Sequence, residues 1–217
     1  MSKKLLGTIV IRGAVIALLG FLPSTIAVAQ GFSADYIEDG DSSGRGKLYG
    51  QSDRLRLEHY DADSPGAVIS AILVDFTRHT VIVVFPSRRT YVDLSKSSFA
   101  QPLDWQMFRP DNADDACSSW QKLATAHKKQ ETCKKLGVEM IDGRSAVKYL
   151  ASGFDSSDTG FLWVDQRLRL IVKAKGKGTD IETQNVKEGS QPSSLFEIPA
   201  GFQKMDSRGM TEKPGNR

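Results

Sequence analysis

The chain has 217 residues, with 29 lysines and arginines against 26 aspartates and glutamates, and this length is enough for one domain with a hydrophobic core. Its small excess of positive charge comes from Lys3, Lys4 and Arg12, and without these three the chain carries 26 charged residues of each sign. A neutral chain has no broad positive field for phosphate groups, which excludes general nucleic-acid binding.

The N-terminal segment has the pattern of a cleaved signal peptide. An apolar run at residues 13–22 follows the basic start, and Ala27, Val28 and Ala29 supply the small residues that a signal peptidase requires before Gln30. A retained membrane anchor is the alternative, but the run is about half of the roughly 20 residues that span a bilayer. We predict that residues 1–29 are removed and that the mature chain is periplasmic, without a transmembrane segment.

The first half of the mature chain has the patterns of β-strands. Residues 54–58 alternate between polar and apolar side chains, as in a strand with one face in water. Residues 67–76 and 80–85 are nearly continuous apolar runs, which indicate a hairpin that is buried on both faces or lines a cavity on one face. Another strand is predicted at residues 88–94.

Residues 97–108 carry several large apolar side chains and no strand pattern. They predict a lid over a cavity, because aromatic and methionine side chains suit an adaptable apolar wall, although packing of a loop onto the sheet explains them equally well. The predicted ligand-binding residues are Phe99, Leu103, Trp105, Met107 and Phe108 in this segment, and Val83, Phe85 and Trp163 on strands.

A helix is predicted at residues 114–127, where apolar or small side chains recur at helical spacing. Cys117 lies on the apolar side of this helix, and the chain between its end and Cys133 is long enough to double back. We predict a disulfide between Cys117 and Cys133 that attaches the helix to the next strand. A reactive redox pair is the alternative, but the C-x-x-C spacing is missing.

Beyond the helix the sequence predicts successive hairpins, of which the Asp142-Gly143 turn gives the strongest signal. The closing strand is predicted to end at Pro199 and turn at Gly201. Phe196, Ile198 and Phe202 either cap the core or contact a ligand. The predicted strands here are residues 137–140, 146–151, 161–164, 168–172 and 181–186.

These elements predict a mainly β or α+β fold, a single antiparallel meander covered by one or a few helices. Residues 30–206 form one predicted domain, and residues 207–217 have too few apolar side chains to fold, so they form a predicted disordered tail.

Three segments of the second half resemble exported proteins of the LolA/LolB-like superfamily. They are CKKLGVEMIDGRSAVKYL (133–150), GFLWVDQRLRLIVKAKGKG (160–178) and SSLFEIPAGFQKM (193–205). The shared features are a hairpin with a Gly-Arg turn, a Trp-Val-Asp strand end and a closing Phe-x-x-Pro-x-Gly-aromatic pattern. The resemblance implies a strongly curved antiparallel sheet, a half-open β-barrel whose concave face is covered by helices. In the carrier members that cavity holds the acyl chains of a lipoprotein, but this chain has only one clear helix and lacks their partner-binding features.

The motifs of common catalytic and metal sites are missing. The three histidines, His59, His79 and His127, form no H-E-x-x-H or similar pair, and no G-x-S-x-G elbow or phosphate loop is present. We therefore predict a protein that is not an enzyme and that uses no cofactor or metal.

Two functions from different classes remain. The first is a periplasmic binding protein with a hydrophobic cavity for lipid, lipoprotein acyl chains or another apolar ligand. The second is an envelope interaction or sensor domain that docks a partner protein and has a filled core. An open apolar cavity favours the first, whereas a filled interior with an exposed apolar patch or sheet edge favours the second. A monomer is predicted in either case.

Overall fold

The computed structural model describes residues 31–40, 44–64, 66–96, 108–126, 132–152, 159–176 and 179–206. The predicted signal peptide, tail and all but the last residue of the predicted lid lie outside these residues. The described elements are strands β1 (Gly31–Gly40), β2 (Gly44–Gln51), β3 (Arg54–Tyr60), β4 (Val68–Asp75), β5 (Thr80–Phe85), β6 (Thr90–Asp93), β7 (Cys133–Ile141), β8 (Arg144–Ser152), β9 (Thr159–Asp165), β10 (Ile171–Gly176), β11 (Thr179–Glu188) and β12 (Gln203–Met205), and helix α1 (Ala116–Ala126).

The twelve strands form one curved, unclosed sheet in the order β12-β6-β5-β4-β3-β2-β1-β11-β10-β9-β8-β7. This confirms the predicted half-open β-barrel covered by a helix. The predicted single meander is only partly right, because two antiparallel meanders, β1 to β6 and β7 to β11, are joined where β1 pairs with β11. The chain crosses from one edge of the sheet to the other between β6 and β7. This crossing passes through α1.

The main hydrophobic core lies between the inner face of the sheet and α1. Trp120 of α1 is 1% exposed, and its indole Nε1 donates to the carbonyl oxygen of Ser152 at 3.1 Å. The Tyr149 hydroxyl donates to the Ala113 carbonyl at 2.6 Å and accepts from the Ala116 amide at 3.2 Å, just where the helix begins. A helix start buried on a sheet needs such partners, because its first amides have none within the helix.

The disulfide between Cys117 and Cys133 is confirmed, with the two Cα atoms 5.3 Å apart. It joins the first turn of α1 to the first residue of β7. The helix is therefore attached covalently to the following strand, as the sequence predicted, and this strand lies at the edge of the sheet.

The C-terminal segment crosses the outer face of the sheet as a strap, defined here as residues 190–206. The predicted closing strand is wrong in its bounds: Ser193–Phe196 form a 3-10 turn, and only Gln203–Met205 form a strand, which runs parallel to β6. Ile198 and Phe202 pack on a small outer-face cluster rather than on the main core. Because this cluster is covered, residues 71–74 of β4 are buried on both faces, as their apolar run predicted.

A buried ion pair explains two of the motifs that carry the resemblance. Arg144, from the Gly-Arg turn, donates to both carboxylate oxygens of Asp165 at 2.6 and 3.2 Å, and Asp165 ends the Trp-Val-Asp strand. The same carboxylate accepts from the amides of Arg167 and Leu168 and so forms the turn after β9. Because of this turn, β10 begins at Ile171, whereas the sequence predicted a strand that begins at Leu168.

Candidate functional site

The predicted ligand-binding residues do not all share one surface. Val83 and Phe85 lie on the inner face and belong to, or pack against, the main core. Phe108 is 6% exposed and meets the Trp120 ring edge to face, with ring centroids 5.0 Å apart. Trp163 is buried on the outer face, away from this group. Phe99, Leu103, Trp105 and Met107 lie outside the described residues.

Apolar side chains of the chain itself pack together on the described part of the inner face. Leu168 and Leu170 fold in from the turn after β9 and join the core with Phe108 and Trp120. Beside Phe32 and Leu168, a recess of about 20 Å³ remains, which is room for about one water molecule. This recess is far too small for an acyl chain.

One end of the inner face carries a polar row instead of apolar side chains. The Ser70 hydroxyl oxygen lies 3.5 Å from Nδ1 of His59, and the His59 ring meets Tyr36 edge to face. Burial lowers the pKa of His59, so the ring is neutral near pH 7. A serine nucleophile needs a base that a third group orients, but the nearby Glu38 carboxylate accepts from the Tyr36 hydroxyl at 3.3 Å. Glu38 therefore does not orient His59, and these polar side chains contact one another rather than form a nucleophile–base pair.

A groove of about 340 Å³ opens on the outer face, between the strap and strands β3 to β5. Leu73 and Ile82 form its apolar floor, and Phe196 and Ile198 form a wall. The guanidinium of Arg54 lies 5.0 Å above the Phe196 ring. Two cations, Arg54 and Arg78, and two anions, Asp75 and Glu197, line the groove, so its charge selects neither sign of ligand.

Trp163 is covered by charged side chains on the outer face of the second meander. Its indole Nε1 donates to Glu139 at 2.7 Å, and the Lys148 and Lys173 ammonium groups lie 4.8 and 6.0 Å from its ring. These contacts are cation–π interactions that cover the ring with polar groups. Trp163 therefore belongs to a cross-strand network of Glu139, Lys148, Lys173 and Glu182, not to an open ligand wall.

Exposed apolar side chains gather on β7, the strand at one edge of the sheet. Leu136 is 44% exposed, Val138 is 53% exposed and Met140 is 66% exposed. Val138 lies opposite the buried Val147, so Val138 and Met140 project on the inner-face side of the edge. Within the described residues, β8 is the only strand that pairs with β7. Sequence analysis identified the hairpin but not this surface, because alternation within one strand does not reveal which strand is the edge.

Two other functional features are a metal site and a membrane-spanning helix. The described residues contain no cluster of three or more histidine, cysteine, aspartate or glutamate side chains that could hold a metal ion. Among the same residues, no helix is long and apolar enough to cross a bilayer.

Comparison with solved structures shows the fold alone. No protein-family model matches this chain, and no curated protein matches it. The chain is similar to an uncharacterized conserved protein from Thermus thermophilus, with 10% identity, a TM-score of 0.51, and coverage of 82% of this chain and 91% of that one. Weaker similarity extends to the MucA/MucB complex of Pseudomonas aeruginosa, with 16% identity and a TM-score of 0.43 over 77% of this chain and 56% of that chain. A domain named for outer membrane lipoprotein sorting, from Vibrio parahaemolyticus, gives 11% identity and a TM-score of 0.37 over 76% and 88%. The half-open barrel agrees with the LolA/LolB-like architecture that the sequence motifs imply, and no one family is assigned.

Proposed function

We propose that this chain is an exported, non-catalytic module that docks a partner protein in the cell envelope. The observation that carries the proposal is the distribution of apolar side chains. The described inner face is filled by residues such as Trp120 and Phe108, whereas Val138 and Met140 stand exposed at the edge of the sheet. Large exposed apolar side chains that gather in one place are typical of interaction surfaces.

A periplasmic location has two supports. The first 29 residues have the pattern of a cleaved signal peptide. The Cys117–Cys133 disulfide suits an oxidising compartment, where such bonds form and persist.

A carrier of lipid or lipoprotein acyl chains is the second candidate. Phe108 packs on Trp120 at the inner face. The nine residues before Phe108 in the sequence include the other four predicted lid residues, Phe99, Leu103, Trp105 and Met107. The docking function is preferred, because large apolar side chains are exposed on β7 and the recess beside Phe32 and Leu168 has a volume of only about 20 Å³.

The deciding experiment is native mass spectrometry, with lipid extraction, of the mature protein purified from its own envelope fraction without detergent. We expect a mass that begins at Gln30 and carries no acyl chain. Co-purifying acyl mass would overturn the docking proposal in favour of the carrier.

A second measurement tests the surface itself. A photocrosslinking amino acid at position 140 should trap one protein in the intact envelope. The same amino acid at position 69 should not, although Ile69 is 47% exposed on β4, away from the edge. Equal trapping from both positions, or trapping of lipid alone from position 140, would argue against a docking surface at β7.

A further inference from the structure

We infer that β7 accepts an extended segment of the partner as an additional strand of the sheet, with apolar side chains beside Val138 and Met140 and a basic side chain beside Glu139. The inference rests on the proposed function and specifies the chemistry of the partner segment. Strand addition of this kind takes its affinity from backbone hydrogen bonds and its specificity from alternate side chains.

The two edges of the sheet are treated differently. At the other end of the sheet, the chain itself covers β6 with β12, an edge strand of only three residues, and Lys204 of the strap donates to Asp93. The β7 edge, nine residues long, has no such cover within the described residues. Exposed edges favour unwanted pairing, and natural proteins usually block them with lysines, bulges or a covering segment.

Features that block pairing with another strand are present only in the first half of β7. Lys134 and Lys135 stand at its start, and a shift of register between Lys135 and Gly137 distorts the edge there. From Val138 to Ile141 the register is regular, with neither a lysine nor a bulge. This second half is therefore a regular edge, with exposed apolar side chains at Val138 and Met140, that another strand can join.

The backbone of this half points its free groups outward. Asp142 and Gly143 have φ angles of 46° and 72° and form a two-residue turn between Ile141 and Arg144. The residues that flank such a turn exchange both backbone hydrogen bonds, and bonded pairs alternate along an antiparallel ladder. Ile141 and Glu139 thus bond to β8, whereas the N–H and C=O groups of Val138 and Met140 point away from the sheet.

Glu139 supplies the charge that selects the partner. Its hydrogen bonds, first with Trp163 and then with Lys148, lower its pKa, so the carboxylate is ionised. The side chain is 46% exposed, which leaves room for a further donor. A lysine or arginine opposite Glu139 on an added strand is therefore favourable, because opposite charges across a strand pair attract each other.

The same carboxylate disfavours a second copy of this chain as the occupant. Antiparallel pairing that places Val138 of one copy opposite Met140 of the other brings the two Glu139 carboxylates face to face. Like charges directly opposite each other destabilise a strand pair. A foreign segment with the pattern apolar–basic–apolar fits better.

The probes for this inference are three acetylated, amidated nonapeptides that differ at one position. Each has the sequence Thr-Val-Thr-Val-X-Val-Thr-Val-Thr, where X is Lys, Ala or Glu. Binding to the mature protein is to be measured by isothermal titration calorimetry and located by hydrogen exchange of the β7 amides. We expect the Lys peptide to bind about two- to fivefold more tightly than the Ala peptide, with the Glu peptide weakest and the amides of Val138 and Met140 protected.

Two variants test whether the peptide binds at the edge of β7. Met140→Pro removes an outward N–H that β8 does not use, and proline is tolerated where the N–H of an edge strand faces solvent. We expect this variant to keep its circular dichroism spectrum and lose peptide binding. Ile69→Lys, the matched control on another exposed apolar residue, should bind like the parent protein.

Three results would overturn the inference. Binding that is insensitive to Met140→Pro, or that leaves the β7 amides unprotected, excludes strand addition. If none of the three peptides binds but a protein is still crosslinked from position 140, strand addition is excluded and the docking function is retained. Self-association in sedimentation that Met140→Pro abolishes would make a second copy the occupant.

Discussion

Replacement of Asp165 by alanine tests the part of the fold in which two sequence motifs meet. The Asp165 side chain is 1% exposed and accepts four hydrogen bonds, two from Arg144 and one each from the amides of Arg167 and Leu168. Alanine removes all four and leaves the guanidinium of Arg144, which is 17% exposed, with Glu188 as its carboxylate partner. One carboxylate therefore joins β8 to the turn after β9, in addition to the hydrogen bonds between Gln166 and Ser145.

The magnitude follows from the burial of the pair. Removing one member of a buried ion pair costs about 3–5 kcal/mol, because the other charge loses that partner. Arg144 keeps Glu188, so we expect Asp165→Ala to cost about 3 kcal/mol, the lower end of this range. Asp165→Asn keeps an oxygen for the two amides, but it loses the charge and places an NH2 donor where Oδ2 accepts from Arg144 Nε. We expect it to cost about 1.5–3 kcal/mol, the value of a hydrogen bond to a charged group.

The assay is urea unfolding followed by circular dichroism, with the disulfide intact in every variant. Asp180→Ala is the matched control, because Asp180 pairs with Lys175 at 3.5 Å and both side chains are about half exposed. An exposed pair of this kind contributes about 0–1 kcal/mol. If Asp165→Ala lowers the free energy of unfolding no more than Asp180→Ala does, the buried pair does not stabilise this fold as argued.

Three further predictions concern the disulfide, the strap and the pH dependence of stability. Replacing Cys117 and Cys133, 16 residues apart, by serine should lower the free energy of unfolding by about 3 kcal/mol, measured against the parent without reductant; an unchanged value would contradict this. Ile198→Asp with Phe202→Asp should release the strap from its apolar cluster, seen as faster hydrogen exchange in β6 and stronger binding of a hydrophobic dye; unchanged β6 exchange would show that the strap is held elsewhere. Burial lowers the pKa of His59 in the folded protein, so its contribution to stability is present above the unfolded pKa of about 6.5 and is lost as the pH falls below it. The parent should therefore lose more stability than His59→Gln between pH 7.5 and pH 5, and equal losses would refute the assignment.

Local patterns in the sequence determined much of the fold. A two-residue hairpin turn requires positive φ at both residues, and Asp-Gly is one of the few pairs that adopt it readily. The β7–β8 hairpin at Asp142 and Gly143 was therefore predictable. The helical spacing around Cys117 placed α1 to within a few residues, and the disulfide followed from the side of the helix on which Cys117 lies and from the reach of the chain to Cys133. The first two strands were missed, although the alternating buried side chains of Phe32, Ala34 and Tyr36 carry a signal for β1.

Tertiary structure decided where those elements lie and which surfaces remain open. Trp163 and Val83 have similar strand patterns, yet they lie on opposite faces, because the face of each strand is set by its pairing partners. The strap resembled a final strand, but its apolar residues Ile198 and Phe202 pack on the outer face of β4 and β5, which exists as a surface only after these strands have paired. Whether Val138 and Met140 are covered depends on the order of all twelve strands. No pattern within one strand records that order, so the edge that carries the proposed function became visible only in the folded chain.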